Sequence, residues 1–332
     1  MRQDVIGRQV RAMKEAGYDA LLSTSPENFA YVTGFLSPTQ PLMRWRHAMA
    51  LVTADGAVAL VVVDMEASTI RANSPPGTEI AVWHEFKFDA MSVLATLLRE
   101  HGLGQARVGI EMDYLPAGDL TALSQLLPRT RFTAAQAILA RLREIKTPEE
   151  INILRRLSRI ADKAITDAYR SIRAGSSEMD LAAALTRGVY EQGADYFKLM
   201  IVATGERSVF PNVGPTSRVL KPGDICRVEI FPIIGGYHAG VCRTAAVGAP
   251  PSEAERIWAN SPRANTCYWT RSNQARRAEP STSSTSRRSE SLACRRSPSS
   301  ATASVYTCTK TLTSAPPKTG RWKQEWCSAS SR

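Results

Sequence analysis

The last part of this sequence, residues 261–332, lacks the residues from which protein cores are built. It contains Leu292, Val305 and Leu312 but no isoleucine and no phenylalanine. A segment so poor in large aliphatic side chains cannot bury enough apolar surface to offset the entropy of ordering its backbone. These residues are therefore excluded as an independently folded domain, and we expect them to be irregular and disordered.

Acidic residues are also scarce in this segment, which contains only Glu279, Glu290 and Glu325 among the 31 Asp and Glu of the chain. The same segment contains 13 of the 42 Lys and Arg, so nearly all of the net charge of +11 lies there. Residues 1–260 have 29 basic and 28 acidic side chains. The charge of this larger part therefore indicates neither a nucleic-acid partner nor a membrane partner.

Long apolar runs and cysteines are few in residues 1–260. The run from Ala57 to Val63 ends at Asp64, and the N-terminal residues lead into a charged amphipathic segment. These patterns match neither a signal peptide nor a membrane span. Only Cys226 and Cys242 lie in this part, which is typical of a reducing compartment. We therefore expect a cytoplasmic protein.

Cysteine and tryptophan are, by contrast, abundant in residues 261–332, which hold four of the six Cys and three of the six Trp. Disordered tails are usually poor in both. A shifted reading frame explains this composition. When each codon starts at the third base of the written one, Cys267 to Thr270 must read Leu-Leu-Asp, whichever synonymous codons are used.

The same shift gives an apolar, motif-bearing string over the rest of the segment. With permitted codons, Ala301 to Ser314 becomes HGIGVHLHEDPYLG and Trp322 to Arg332 becomes LEAGMVLGIEP. We interpret this as the loss of one base, or an equivalent shift, close to Asn260. The residues of the other frame are not in this polypeptide, so no chemistry is assigned to them.

Residues 1–145 alternate helix and strand signals. An amphipathic helix ends at Gly17 and is followed by a strand from Ala20, and two strands flank the turn Ala54-Asp55-Gly56. Further strands are predicted from Ile80 to Trp83 and Val108 to Glu111, with helices over Ala90 to Glu100 and Leu120 to Leu127. This pattern predicts an α/β layer fold around a central sheet.

Residues 146–260 begin with a strong helix start. Thr147-Pro148-Glu149-Glu150 combines an N-cap Thr, a Pro at the first helical position and a Glu that closes a capping box. The helix is predicted to run to about Ile172. A second helix, Leu181 to Glu191, precedes a strand, Lys198 to Thr204, and then a hairpin with strands Ile225 to Ile233 and Tyr237 to Val247 around Gly235-Gly236. Another capped helix opens at Ser252.

The run RVLKPGDICRVEIFPIIGGYHAGVCRTAAVG, Arg218 to Gly248, resembles the β-hairpin of the creatinase and Xaa-Pro aminopeptidase family, the prolidase-like enzymes with the pita-bread fold. The IKTPEEI helix entrance at Ile145 to Ile151 and the out-of-frame strings HGIG and GIEP agree with this resemblance. It implies a creatinase-like α/β domain over residues 1–145, followed by the first half of an α+β pita-bread domain over residues 146–260, truncated at the frame shift.

In metal-dependent members of that family, two Asp of the hairpin bind two divalent ions together with a later His and two Glu. The matching positions here are Glu229 and Gly240. A glycine supplies no oxygen ligand, and paired divalent ions need such ligands, so the resemblance implies no metal cofactor. Glu229 is then either a remaining ligand or a hydrogen-bonded carboxylate on a buried strand.

FPIIGGY, Phe231 to Tyr237, resembles the creatinase branch of the family, whose members hydrolyse small C–N bonds without metal. That chemistry needs a base and carboxylates that hold the substrate. The family's histidine in the loop before the hairpin matches Asn212, which cannot act as a base. His238 is the histidine near the hairpin, and it is either catalytic or a structural residue facing away from Tyr237.

Arg44 and Arg46 flank Trp45 in a segment that resembles the part of creatinase-like dimers reaching the neighbour's active site. The resemblance implies a homodimer in intact relatives and a substrate contact through Arg44, Arg46 and Tyr237. A carboxylate clamp and a solvated basic turn remain the two interpretations of the arginine pair.

Two function classes follow from these patterns. The first is a family hydrolase that cleaves an amide, amidine or Xaa-Pro bond of a small molecule or dipeptide, present here as an inactive, truncated copy. The second is a non-enzymatic protein whose basic disordered tail binds RNA or acidic partners through its charge. The content of the alternative frame favours the hydrolase.

Overall fold

A computed structural model describes residues 2–87 and 89–260 of the chain. Within this part the protein forms two compact units. The first comprises residues 2–87, 89–154 and 234–237, and the second comprises residues 155–233 and 238–260. The predictions made for residues 261–332 lie outside the described residues.

The first unit is built on a sheet of six strands with helices on both faces. The strands run in the order β4-β3-β2-β1-β5-β6, with parallel pairs β3/β4, β1/β5 and β5/β6 and antiparallel pairs β1/β2 and β2/β3. The elements are α1 Gln3–Ala16, β1 Ala20–Ser23, α2 Pro26–Thr33, β2 Met49–Thr53, β3 Val58–Val63, α3 Ala67–Asn73, β4 Glu79–Trp83, α4 Ala90–Glu100, β5 Arg107–Ile110, α5 Ala117–Leu126, β6 Arg131–Ala134 and α6 Gln136–Glu144.

This sheet is buried on both faces. One face packs with Leu94 and Leu98 of α4 and Leu123 of α5, and the other packs with Met13 of α1 and Phe29 of α2. Full burial of each such side chain contributes about 1.5–3 kcal/mol. The predicted α/β layer fold of the first unit is confirmed.

The second unit contains a smaller sheet and two long helices. The helices are α7 Pro148–Ser171, which begins in the first unit, and α8 Glu178–Glu191. The sheet has the order β10-β8-β7, with β7 Tyr196–Thr204, β8 Ile225–Ile234 and β10 Val241–Ala246, and the short β9 Tyr237–His238 pairs with β8. A short 3₁₀ turn covers Gly205–Val209, and residues 252–260 are helical.

The predicted capping box opens α7. The backbone N–H of Glu150 donates to Thr147 Oγ1 at 3.3 Å, and the N–H of Thr147 donates to Glu150 Oε2 at 2.6 Å. The sequence predicted one strand from Tyr237 to Val247, and that prediction was wrong because the strand is interrupted at Ala239 and Gly240. The interruption coincides with the aromatic ring of Phe231, which lies against Gly240.

Candidate functional site

The strand β8 separates an apolar face from a polar face by the normal alternation of side chains. Cys226, Val228 and Ile230 are fully buried on one face. Arg227, Glu229 and Phe231 are half-buried on the other. This second face, defined by those three residues and hereafter called the polar face, is the partly accessible side of the hairpin.

Helix α7 fixes the buried face of the hairpin. The hydroxyl of Tyr169 lies 3.2 Å from the carbonyl oxygen of Cys226 on β8 and 3.0 Å from that of Arg243 on β10. The guanidinium of Arg243 reaches back to Asp162 of α7 at 2.5 Å. Burial raises the pKa of the Cys226 thiol to about 12, so this thiol is a packing residue and no nucleophile.

Glu229 lies at the centre of the polar face. Its neighbours across the sheet are Ile201 on β7 and Cys242 on β10. Partial burial raises the pKa of the Glu229 carboxyl, and the nearby positive charge of Arg227 offsets part of that rise. The carboxyl is therefore more easily protonated than a solvated glutamate, which suits a group that exchanges protons.

Gly240 and Phe231 lie opposite each other across the hairpin, since the register pairs Val241 with Ile230. A Cβ atom placed on Gly240 would lie 2.2, 2.6 and 2.7 Å from three carbons of the Phe231 ring. The ring of His238 is tilted 54° to that of Phe231, with the two centroids 6.4 Å apart. The structure thus groups Glu229, Phe231, Gly240 and His238 on one part of the hairpin.

The donor set of this group does not fit a pair of divalent ions. Such ions need several carboxylate oxygens, yet the position matching the second carboxylate is glycine and its side-chain space holds an aromatic ring. Across residues 2–87 and 89–260, no three His, Cys, Asp or Glu side chains are grouped in a way that could hold a metal ion.

Asn212 is exposed on the loop that joins β7 to β8. This loop lies beside the polar face, because Arg227 donates to the carbonyl oxygens of Phe210 and of Pro211, the latter at 3.0 Å. The backbone N–H of Val202 on β7 also donates to the carbonyl of Val213 at 3.3 Å. The structure therefore brings the segment carrying Asn212 to the same strand as Glu229.

The carboxylate of Glu178 organises that loop, a role that the sequence did not reveal. It is fully buried and accepts hydrogen bonds from the backbone and hydroxyl of Thr204 at 2.9 and 2.8 Å. The backbone and hydroxyl of Thr216 donate to it at 2.9 and 2.7 Å, and Arg207 pairs with it. The only sequence signal was its position directly after Ser177, the N-cap of α8. A negative charge in the first turn of a helix interacts favourably with the helix dipole.

Tyr237 lies in the first unit and not with Glu229 in the second. Its hydroxyl donates to Glu150 Oε1 at 2.7 Å and accepts from Arg2. Burial and the hydrogen bond to Glu150 raise the pKa of the Tyr237 hydroxyl. This hydroxyl is therefore already engaged by protein groups, although Tyr237 and His238 are adjacent in sequence.

Arg44 and Arg46 also lie in the first unit, and both have protein partners. Arg46 makes a two-pronged ion pair with Glu85 at 3.0 and 3.1 Å. Arg44 donates to the carbonyl of Tyr114 at 2.8 Å and lies 5.1 Å from the centre of its ring. Arg44 and the exposed Trp45 line a cavity of about 780 Å³.

Three histidines outside the hairpin each pair with a carboxylate. His47 lies 2.8 Å from Asp119, and His84 and His101 lie 3.0 and 2.9 Å from Asp64 and Glu79. The sequence had shown no metal-type spacing for these histidines. Their pairing with acids far along the chain was not predictable from local pattern.

Two family models match the chain in succession. Residues 6–145 match the Creatinase/Prolidase N-terminal domain, and residues 152–266 match Metallopeptidase family M24. The described residues contain no helix long and apolar enough to cross a membrane.

Curated relatives and solved structures agree with these matches. The chain is 26% identical over 245 residues to the uncharacterized peptidase YqhT of Bacillus subtilis, covering 74% of this chain and 65% of that protein. It is 27% identical over 262 residues to the creatinase of a Bacillus species, covering 74% of this chain and 60% of that protein. The Xaa-Pro dipeptidase of Bacillus anthracis superposes with a TM-score of 0.63 and 26% identity over 77% of this chain and 68% of its own.

The chain therefore spans about two thirds of the length of the curated relatives named here. The expected fold class, a creatinase-like α/β domain followed by part of a pita-bread domain, is confirmed by these matches. The M24 match ends at residue 266.

Proposed function

We propose, on the premise that the chain belongs to the creatinase and prolidase family, that its site is built to hydrolyse a C–N bond of a small substrate. The bond is an amide, an amidine or an Xaa-Pro peptide bond. The observation that carries this proposal is the half-buried Glu229 on the polar face of the family's hairpin, with no carboxylate at position 240.

The reaction adds water across the C–N bond. The oxygen of water bonds to carbon while a base accepts one of its protons, and the departing nitrogen takes a proton as the C–N bond breaks. Glu229 would hold the positively charged or polarised end of the substrate. His238, whose ring centroid lies 6.4 Å from that of Phe231, would accept the proton, and Asn212 would contribute a hydrogen bond from the loop.

The proposed chemistry uses no metal ion as cofactor. It follows that chelators leave the activity of an active form intact, and elemental analysis of that form finds no tightly bound pair of Mn, Co or Zn. Two such ions per chain would overturn this part of the proposal, because they need ligands that Gly240 does not provide.

The chain as written is proposed to be inactive. The resemblance requires a later His and two Glu, and residues 261–332 contain no histidine and only the acids Glu279, Glu290 and Glu325. Groups that stabilise developing charge must converge within hydrogen-bond reach of the substrate. Residues 261–332 thus provide no match for the later His of the family set.

A paired assay tests both statements. The chain as written and a version with the reading frame restored near Asn260 are incubated with Xaa-Pro dipeptides, creatine and cyclic amidines such as ectoine. We expect turnover of one of these by the restored protein alone, abolished by Glu229→Gln and unaffected by Glu191→Gln, a control on the exposed end of α8. Equal turnover by both versions would contradict the proposed inactivity, and full activity of Glu229→Gln would contradict its role.

The proposal also includes a cytoplasmic location and a homodimer. It includes no nucleic-acid partner and no membrane partner. The reducing compartment suits the buried thiol of Cys226. The dimer is supported by Trp45, a residue that is 64% exposed, since aromatic residues are enriched at protein interfaces. The mass of the frame-restored protein, measured by light scattering, tests the dimer. A monomeric mass, the same with and without Trp45→Ala, would contradict it.

A further inference from the structure

Phe231 lies opposite Gly240 across the hairpin, and its ring limits which side chains position 240 can hold. The backbone of Gly240 is outside the left-handed region that favours glycine, so its conformation permits any L-residue. The three atoms nearest to a Cβ at this position all belong to the Phe231 ring, the nearest at 2.2 Å. The ring therefore occupies the space that any side chain larger than that of glycine would need here.

The ring also determines whether a second carboxylate can lie near Glu229 and bind the same ligand. Phe231 and Glu229 project from the same face of β8, two residues apart. A carboxylate at position 240 would have to occupy the space of the ring, so the ring and a second carboxylate exclude one another. With the ring in place, an uncharged aromatic side chain occupies the position where a second carboxylate could supply a hard oxygen ligand.

We infer that Phe231 is the specificity-determining residue that keeps divalent ions out of this site. Its ring fills the side-chain space of residue 240 and leaves Glu229 as a single carboxylate available to an organic ligand. This role of Phe231 rests on the proposed metal-independent hydrolysis and gives a structural reason for it. Its tests measure packing and metal uptake, so they succeed or fail separately from any activity.

The packing test is a double-mutant cycle read at Cys226. This thiol is fully buried under the hairpin, so its labelling rate in graded urea, followed peptide by peptide by mass spectrometry, reports opening of the second unit. We expect Gly240→Ala to shift the labelling midpoint to a lower urea concentration. Adding Phe231→Ala to Gly240→Ala should move the midpoint much of the way back, because the ring no longer occupies the space of the new methyl group. Gly214→Ala is the matched control, because a Cβ there meets no atom within 4 Å.

The metal test uses Co²⁺, whose visible absorption reports its ligands. The chain as written, Phe231→Ala and Gly240→Asp should bind no stoichiometric ion. The double variant Phe231→Ala with Gly240→Asp has a carboxylate beside Glu229, and we expect it to bind Co²⁺ about tenfold more tightly than either single variant. Adding Glu229→Gln to the double variant should remove that gain.

Four results would overturn the inference. The first is a Gly240→Ala midpoint equal to that of Gly214→Ala, and the second is additive effects in the cycle. The third is rapid labelling of Cys226 in the chain as written without urea, because the hairpin would then lack the packing described. The fourth is equal Co²⁺ affinity of Gly240→Asp with and without Phe231, which would show that the ring does not decide ligand choice.

Discussion

The sheets of the two units differ in how their faces are covered. In the first unit the central strands β1, β2 and β3 are almost entirely buried, with helices packed on both faces. In the second unit β8 is buried on one face and half-exposed on the polar face. Packing therefore fixes the side chains of the first sheet on both faces, whereas the side chains on the polar face of the second sheet remain partly accessible.

The two units also satisfy their buried carboxylates differently. Glu111 in the first unit accepts hydrogen bonds from neutral groups of Thr24, Ser25 and Asn28. Glu178 in the second unit combines such donors with the guanidinium of Arg207. Glu111 therefore joins elements within a packed core, while Glu178 holds a loop whose far side faces solvent.

The largest effect is expected from Leu51→Ala in the first sheet. Leu51 is 1% exposed on β2, so truncation removes buried methyl groups and leaves a cavity. We expect the free energy of unfolding of the first unit to fall by about 2–5 kcal/mol. Hydrogen exchange of peptides from β1 and β2 in graded denaturant measures this value.

Leu42→Ala is the control for that substitution, because Leu42 is 80% exposed. Its effect should stay within about 0.5 kcal/mol. Equal losses from the two leucines would mean that the first sheet is not packed on both faces.

Glu178→Gln should have the next largest effect, on the second unit. The amide cannot accept all of the hydrogen bonds made by the carboxylate and leaves Arg207 without its charge partner, at a cost of about 1–3 kcal/mol. Trypsin cleavage after Arg207 and Arg218 in the loop should become faster. The same cleavage rate in Glu178→Gln and in Glu191→Gln, a change at an exposed position, would contradict the role of Glu178 in holding the loop.

Local sequence signals were sufficient for much of the fold. The helix ending at Gly17, the turn at Gly56 and the capping box at Thr147 were each predicted from neighbouring residues and each is present. Helix α2 was missed because all its residues except Glu27 are buried, so it has no amphipathic period. Such a helix can be recognised only when its tertiary surroundings are known.

The candidate site was only partly predictable for the same reason. The hairpin pattern placed Glu229 on the strand predicted from Ile225 to Ile233, and the structure agrees. The partners of Glu178 lie 26 to 38 residues away in sequence, and no local pattern indicates them. The ring of Phe231 lies in the side-chain space of Gly240 where the second strand is interrupted at Ala239 and Gly240, and the sequence had predicted a continuous strand there.

A smaller effect is expected from Arg46→Lys. The guanidinium of Arg46 makes two hydrogen bonds to Glu85, and both side chains are largely buried, at 14% and 13% exposure. Lysine keeps the charge but cannot reproduce the two-pronged geometry, so we expect a loss of about 1 kcal/mol in the first unit. Arg71→Lys at an exposed position of α3 should cost nothing measurable, and equal midpoints of the two variants in thermal unfolding would show that the pair is not formed.

The smallest effect is a pH dependence of the first unit through His47. Burial lowers the pKa of the His47 imidazole from its ordinary 6.5, although Asp119 acts in the opposite direction. The unfolded state therefore binds a proton more readily than the folded state. The stabilising contribution is complete above about pH 6.5, declines as the pH falls below the unfolded value and is lost once the pH has passed the lower folded value.

Replacing His47 should flatten this part of the stability profile. We expect the unfolding midpoint of the chain as written to fall between about pH 6.5 and 5, and His47→Asn to show a smaller fall over that interval. His84→Asn is the matched control, since its imidazole is 46% exposed beside Asp64, and it should retain the slope of the parent. A parent profile that rises on acidification, or an equal flattening by both variants, would show that the buried His47 is not the titrating group.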